Sequence, residues 1–409
     1  MKNYVIVGAS RRGFNMYALP MSKYFRDCAK IKGVFDPNYK RAELMKKQAG
    51  DDFPVYDSFE TMIKSAKPDV VIVTTIDSCH HEYIIKGLEA GCDVITEKPM
   101  TIDAKKCNAI FEAEKRSGKK VIVTFNARCS PLSTKIKEIM NEGIIGDVLN
   151  VHFEWMLDTV HGADYFRRWH RRIENSGGLL VHKATHHFDM INWFIMQDPV
   201  VVNAFGTRRF YGPTRSQRSE RCLTCQHKDT CEFYFDITTH KFKELYLDCE
   251  DVDGYYRDRC VFDDEINIYD SMTLNVKYSK DAIMSYSLIA HSPYEGFKLS
   301  INGTGGRLEA ESFLNETHDA FAGATANKLR IYNRKGEEIS IKIPKKSGAH
   351  GGSDTVLQNI LFKDCYPDPL GYAAGSRDGA MSLIIGAAAN TSIKEGTPVS
   401  IKDLLPSLL

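Results

Sequence analysis

The sequence predicts an α/β chain in two parts: a doubly wound parallel sheet, then an α+β domain built on a mainly antiparallel sheet. Three observations carry this. An apolar strand, Lys2 to Val7, runs directly into the loop Gly8-Ala9-Ser10-Arg11-Arg12-Gly13 and then a helical pattern. Strand and helix patterns continue to alternate at βα spacing as far as Phe125. From Glu265 onward, short strands with period-two patterning follow one another through tight turns.

Taken in order, the first helix reaches Phe25, and a second strand, Ile31 to Phe35, ends in Asp36. Pro54 to Tyr56 reads as a short strand, Ser58 to Ala66 as a helix, and Asp69 to Thr75 as an apolar strand of the kind buried in parallel sheets. Ser78 to Ala90 is a helix ended by Gly91, and the next strand carries Val94 and Ile95 before Glu97-Lys98-Pro99. A helix from Asp103 to Ser117, closed by Gly118, leads to the sixth strand, Lys120 to Phe125. Residues 1–125 therefore form a Rossmann domain, and residues 126–409 form a substrate and oligomerisation domain with a Cys-rich insertion at about 208–263.

The chemistry of this first domain is that of a dinucleotide site. The loop is a G-x-G-x-x-G fingerprint with Ser10 in place of the second glycine. Gly8 suits the tight turn, Gly13 suits close helix packing, and Ser10 and Arg11 lie where a pyrophosphate meets the helix amino terminus. Asp36 falls 23 residues after Gly13, where a carboxylate accepts from a ribose diol and repels a 2′-phosphate, so NAD is expected over NADP. Glu97 and Lys98 are costly to bury unless paired or facing a cleft, and a lysine at the carboxyl end of a parallel strand lies where such sheets bind ligands.

Composition narrows the partners. The 409 residues carry 54 Lys+Arg against 53 Asp+Glu, a formal charge of +1, so no basic field points to nucleic acid or an anionic membrane. No apolar run reaches the roughly 18 residues of a membrane span, and the opening strand leaves no room for a signal peptide. Eleven cysteines scattered through an α/β chain argue against a disulfide framework, and a cytoplasmic enzyme is expected.

The Ser-modified glycine loop, Asp36 after the second strand and Glu97-Lys98-Pro99 after the fifth together resemble the Gfo/Idh/MocA oxidoreductases, the family of glucose-fructose oxidoreductase and inositol dehydrogenase. The resemblance extends over nearly the whole chain. It implies bound NAD held by Gly8, Ser10, Arg11, Gly13, Asp36, Glu97 and Lys98, and a lysine, Lys98, beside the nicotinamide and the reacting carbon of a sugar or cyclitol. It also implies a cis bond between Lys98 and Pro99, and a homo-oligomer.

The second domain opens with a helix, Leu132 to Asn141, a turn at Gly143 to Gly146 and a strand, Val148 to Leu157. Further on, a helix starting at Leu180 would place His182, His186 and Asp189 on one face, at i, i+4 and i+7. In the family the corresponding helix carries an aspartate and, four residues later, the histidine that takes the substrate hydroxyl proton. His186 matches that histidine, but His182 stands at the aspartate position and Ala184 where a glycine is usual, which suggests a subgroup with an extra imidazole facing substrate. An imidazole base suits alcohol oxidation near neutrality. Two other readings of the face stand beside it: a divalent metal site formed by the three residues, and histidines satisfied in the core. Trp169, His170 and Arg171 read either as a sugar-facing segment or as a basic loop with one buried Trp, and Lys183 joins the substrate candidates from the neighbouring face.

In the insertion, Cys222, Cys225 and Cys231 have C-x2-C-x5-C spacing, which fits three ligands of a structural Zn site or a loop of free thiols. Spacing does not choose a fourth ligand among His227, His240, Cys249 and Cys260. The antiparallel strands are expected at Ile266 to Tyr269, Met272 to Tyr278, Ala282 to Ala290, Phe297 to Asn302 and Gly306 to Ala310. A loop from Gly348 to Asp354, with His350 a candidate contact, precedes a helix; Arg377 to Ile393 is a last long helix whose Gly379 and Gly386 admit a close neighbour. The activity expected from all this is oxidation of a ring secondary hydroxyl of a sugar, glycoside or polyol to a ketone, or its reverse. The alternatives are an NAD-retaining, redox-assisted glycoside-cleaving enzyme and a non-catalytic NAD-bound sensor.

Overall fold

The computed structural model describes residues 1–313, 326–345 and 349–406; Gly348, at the start of the loop named above, lies outside them. Six parallel strands form the first sheet: β1 (Lys2–Val7), β2 (Ala29–Phe35), β3 (Val55–Tyr56), β4 (Val70–Val73), β5 (Asp93–Thr96) and β6 (Val121–Val123), in the order β6-β5-β4-β1-β2-β3. Side chains alternate across it. Val5, Val7, Val71 and Val73 join one buried cluster while Tyr4, Ile6, Val70 and Ile72 join another. Both faces are covered, as a parallel sheet requires.

The second sheet has β7 (Val148–Asp158), β8 (Pro199–Thr207), β9 (Ser271–Tyr278), β10 (Ile283–Ser292), β11 (Gly296–Gly303), β12 (Gly306–Phe313), β13 (Ala326–Asn333) and β14 (Glu338–Pro344), in the order β14-β13-β12-β11-β7-β10-β9-β8. Every neighbouring pair is antiparallel except β7 with β10. Inward positions along β10 alternate buried and half-exposed, the pattern of a sheet with one face on the core.

The chain then returns to the first sheet. Helix Ser353–Phe362 lays Leu357 and Phe362 on the cluster of Tyr4 and Ile6, and β15 (Ala374–Gly375) pairs antiparallel with the β6 edge. Helix Ser376–Glu395 follows, and β16 (Val399–Ser400) closes the far edge of the second sheet against β8. In that helix Gly386 faces the backbone of the segment carrying His182: a Cβ there would stand 2.1 Å from the Leu180 carbonyl oxygen. Asn390 donates to the Gly177 carbonyl at 2.7 Å and Thr185 meets Ser382 at 3.0 Å, so the last long helix fixes the start of the helix Thr185–Ile195.

The structure departs from the sequence reading in three places. Ile266 to Tyr269 is not a strand; its backbone serves the preceding loops instead, with Asn267 N–H donating to the Arg171 carbonyl. The hairpin β13–β14 was missed because its outer strand is largely exposed and its pattern weak. Pro398 to Leu404, which reads in sequence as a short extended segment, is extended only over β16 and continues as a short helix, Ile401–Leu404. Among the described residues no helix is long and apolar enough to cross a membrane.

Candidate active site

The glycine loop is held by the sheet beneath it. A Cβ on Gly8 would meet the Thr74 backbone at 2.7 Å, and one on Gly13 would meet Thr74 Oγ1 at 2.6 Å, so both positions must lack a side chain. Ser10 Oγ accepts the Gly13 N–H at 3.1 Å, capping the helix start while its own proton stays free to donate. Asp36 accepts from Ala9 N–H at 2.6 Å through one oxygen and from Asn38 N–H at 2.7 Å through the other. Each oxygen keeps a lone pair for a ribose hydroxyl, so the donor and acceptor set fits the adenosine half of NAD.

Glu97 is held by protein partners through one of its oxygens. Its Oε1 accepts from Arg12 Nε at 2.9 Å and from Tyr17 OH at 2.7 Å. Arg12 continues to Asp354 at 2.8 Å, which also takes Asn126 Nδ2 at 2.7 Å and His350 Nδ1 at 2.9 Å. The hydrogen bond from His350 and the Arg12 guanidinium hold the Asp354 carboxyl below its ordinary range despite burial. The Arg11 guanidinium lies 4.2 Å from the Phe242 ring, which comes from the insertion.

Lys98 emerges at the carboxyl end of β5, and its bond to Pro99 is cis, as the resemblance implied. Behind it, His80 touches the Pro99 carbonyl at 2.9 Å and the Thr75 carbonyl at 3.1 Å, tying this turn to the one after β4. Lys98 Nζ donates to the His182 carbonyl at 3.2 Å and faces His182 Nε2 at 3.5 Å. On the other side of the ring, Nδ1 meets Asp77 Oδ2 at 2.5 Å. Thus Asp77, His182 and Lys98 form one chain of proton-carrying groups. Burial disfavours charge on each: it raises Asp77, lowers His182 and lowers Lys98, although the Asp77 carboxylate opposes the last shift.

His186 is half-buried beside this chain, edge-on to Phe125, with its Nδ1 buried and without a hydrogen-bond partner. Burial, reinforced by Lys98 and Lys183, lowers its pKa well below the imidazole value, so it is neutral at neutral pH and able to take a proton. Lys183 Nζ lies over Trp155 at 4.6 Å and is lowered by burial to about 8. Trp169 stacks on His170 at 3.7 Å, and both rings meet His182 edge-on, so Trp169, half-buried, is the member of the pair at the cleft.

The structure separates the remaining candidates. The helix expected from Leu180 breaks: Leu179–His182 and Thr185–Ile195 are distinct, and Asp189 turns into the core, where both its oxygens take Arg128, Nε at 2.7 Å. Asp189 therefore shares no site with His182 and His186, and the metal reading of that face loses its carboxylate. Arg171 is buried, paired with Asp263 at 2.8 Å, and points into the insertion rather than to substrate. Among the described residues no group of three or more His, Cys, Asp or Glu side chains is drawn together as a metal site. Asp77 was missed, yet its signal was the one used for Lys98: a charged residue just past the carboxyl end of a buried parallel strand.

An open α/β sheet with a glycine loop, a ribose-positioned acid and a lysine–histidine cluster at its carboxyl edge defines a dinucleotide-dependent oxidoreductase. Residues 2–125 match the oxidoreductase family's NAD-binding Rossmann fold and residues 137–401 its C-terminal alpha/beta domain, and the chain belongs to this GFO/IDH/MocA family. It is 38% identical over 425 residues to YteT of Bacillus subtilis (strain 168), covering 99% of each. Inositol 2-dehydrogenase of Serratia proteamaculans (strain 568) is 27% identical over 193 residues, which is 46% of this chain and 54% of that protein. Among solved structures, levoglucosan dehydrogenase in complex with NADH and L-sorbose shares the fold at TM-score 0.69, with 16% identity over 98% of both chains. Aldose-aldose oxidoreductase from Caulobacter crescentus, complexed with glycerol, does so at 0.65 and 16%, over 98% of this chain and 99% of that one.

Proposed function

We propose that the chain is an NAD-dependent dehydrogenase that oxidises a ring secondary hydroxyl of a sugar, glycoside or polyol to a ketone, or runs the reverse. The observation that supports it best is the convergence of Lys98, backed by His182 and Asp77, with a neutral His186 at the carboxyl edge of the sheet. NAD, when bound, accepts the hydride. Gly8, Ser10, Gly13 and Asp36 would hold it, and Asp36 favours it over NADP. Lys98 donates a hydrogen bond to the hydroxyl oxygen and stabilises the developing alkoxide, while His186 takes the hydroxyl proton. Asp77 fixes the His182 ring and lets charge on Lys98 relax through the chain. Trp169 supplies an apolar platform for a ring face, and Lys183 donates to a peripheral oxygen. A cytoplasmic homo-oligomer is part of this reading.

The contacts of the insertion with the Rossmann domain favour one variant, retention of NAD between turnovers. Asn38, two residues from Asp36, donates to the Cys249 carbonyl at 2.8 Å; Arg41 pairs with Asp253 at 2.7 Å and Lys40 with Asp251 at 2.6 Å. With Phe242 on Arg11, the insertion covers the adenosine side of the cleft. The deciding experiment follows absorbance of reduced nicotinamide with NAD and a panel of free sugars, glycosides, sugar acids and inositols, alongside Lys98→Ala and His186→Ala. A signal with one substrate group that both variants lose supports the dehydrogenase. Glycoside cleavage without net NADH, on a protein purified with NAD bound, selects the retaining variant, and silence with both would sink catalysis.

A further inference from the structure

We propose that Cys222, Cys225, Cys231 and Cys260 bind one zinc ion, as a four-thiolate structural site that pins the insertion beneath the active-site segment. All four line one cavity of about 20 Å³. That volume suits a single small ion.

The backbone explains how the fourth cysteine arrives. Arg221 and Arg259 form an antiparallel bridge, with Cys222 N–H donating to the Asp258 carbonyl at 2.8 Å and Cys260 N–H to the Glu220 carbonyl at 3.0 Å. This sets Cys260 beside Cys222, and the Cys222-to-Cys225 turn closes with a 3.1 Å backbone bond. Of the other candidates, His227 lines the same cavity and lends its backbone N–H to Cys225, while Cys249 and His240 lie elsewhere. Cys249 donates to the Glu244 carbonyl on the face that meets Asn38, and the His240 ring packs against Phe235 and Phe242.

Two further features suit thiolates rather than thiols. Cys225 and Cys260 each accept a backbone N–H from the residue two further on, His227 and Phe262, both at 3.4 Å. Such bonds offset the charge on a ligand sulfur. Arg167 is 5% exposed and donates to Cys222 Sγ at 3.1 Å and to the Arg259 and Phe233 carbonyls at 3.2 and 2.7 Å, with no carboxylate among these partners. A metal-bound thiolate at Cys222 would give this buried guanidinium an anion beside its neutral acceptors. The sulfurs surround the cavity without being drawn to one centre; binding would bring them in by rotation about χ1, with the four thiol protons released to solvent. The consequence for the active site is direct. Arg171, next to His170, donates to the Cys260 carbonyl at 3.4 Å, so the segment bearing Trp169 and His170 rests on the proposed site.

The test is metal analysis of the full chain, purified without chelator, by inductively coupled plasma mass spectrometry, with cobalt replacement followed by absorption. One zinc per chain and cobalt bands of a tetrahedral four-thiolate site are expected. Cys260→Ser should lose the zinc, whereas Cys249→Ser and His227→Ala should keep it. Should Cys260→Ser fail to fold, the wild-type cobalt spectrum still separates four sulfurs from three sulfurs and an imidazole. No zinc as purified and none taken up by the reduced protein from zinc chloride would overturn the proposal. So would disulfides among these cysteines, iron with sulfide, or loss of metal in the Cys249 or His227 variant.

Discussion

Asp77 and His182 meet at 2.5 Å, across 105 residues of sequence, and this contact turns the His182 ring so that its other nitrogen faces Lys98. In the proposed mechanism, an aspartate after β4 thus orients the His182 imidazole from the first sheet rather than from the helix that carries His186.

Asp77→Asn keeps the shape of the side chain and removes its charge. We expect kcat to fall by about 10²-fold, the scale of general acid–base assistance, with KM for NAD unchanged. The pH profile should also shift, because the charge that Asp77 contributes to His182 and Lys98 is gone. Unaltered kcat and an unaltered profile would show that Asp77 only packs.

Lys98→Ala removes the group proposed above to face the reacting oxygen. A loss on the order of 10²–10⁴-fold in kcat/KM is expected, while coenzyme binding, read by quenching of protein fluorescence, stays near wild type. Loss of coenzyme binding instead would reassign Lys98 to the cofactor.

His186 has its pKa lowered by burial. The proton that blocks it as a base is therefore taken up only below the ordinary value of 6.5, and the acid limb of kcat/KM for oxidation should lie under that value. The same sign applies to stability. His80, His170, His182, His186 and His187 all have folded values below their unfolded ones, so the unfolded chain binds more protons as pH drops through 6.5. Thermal midpoints should fall from there downward, with Asp189, raised by burial to about 6, opposing the trend at lower pH. A flat midpoint across this window would mean that the imidazoles are not shielded from water.

Asp189→Ala takes from Arg128 its buried carboxylate partner and leaves only the half-exposed Asp378, at 3.4 Å. Breaking a buried pair costs about 3–5 kcal/mol, so the chemical denaturation midpoint should drop markedly, while the residual folded protein keeps its pH–rate profile. Activity restored by added divalent metal would instead return Asp189 to the active site.

Phe242→Ala uncovers Arg11. Release of bound NAD, measured by trapping with excess competing coenzyme analogue, should accelerate several-fold, with no change in the profile set by His186. Identical release rates would remove the insertion from cofactor exchange.

Much of this was legible in the sequence, and the limits have physical causes. The glycine loop, Asp36 and Lys98 sit at strand ends, where local pattern dictates position, and each lies where expected except that Glu97 and Arg11 turn to protein partners. Helical periodicity put Asp189 on the face of His182 and His186. The break at Lys183 and Ala184, together with a partner 61 residues away, moved it. Arg171 was misread for a similar reason: its counter-ion, Asp263, belongs to an insertion whose fold no local pattern announced.

The return of the chain to its first sheet has a consequence for synthesis. Until Ser353–Phe362 and β15 leave the ribosome, the β6 edge is unpaired and the apolar patch around Tyr4 and Phe25 is bare. Nearly 250 residues separate β6 from β15, and translation at roughly 5–20 residues per second makes that wait on the order of ten seconds or more. The nucleotide-binding half is made first but completed almost last, and in the interval it presents a surface for chaperones to shield.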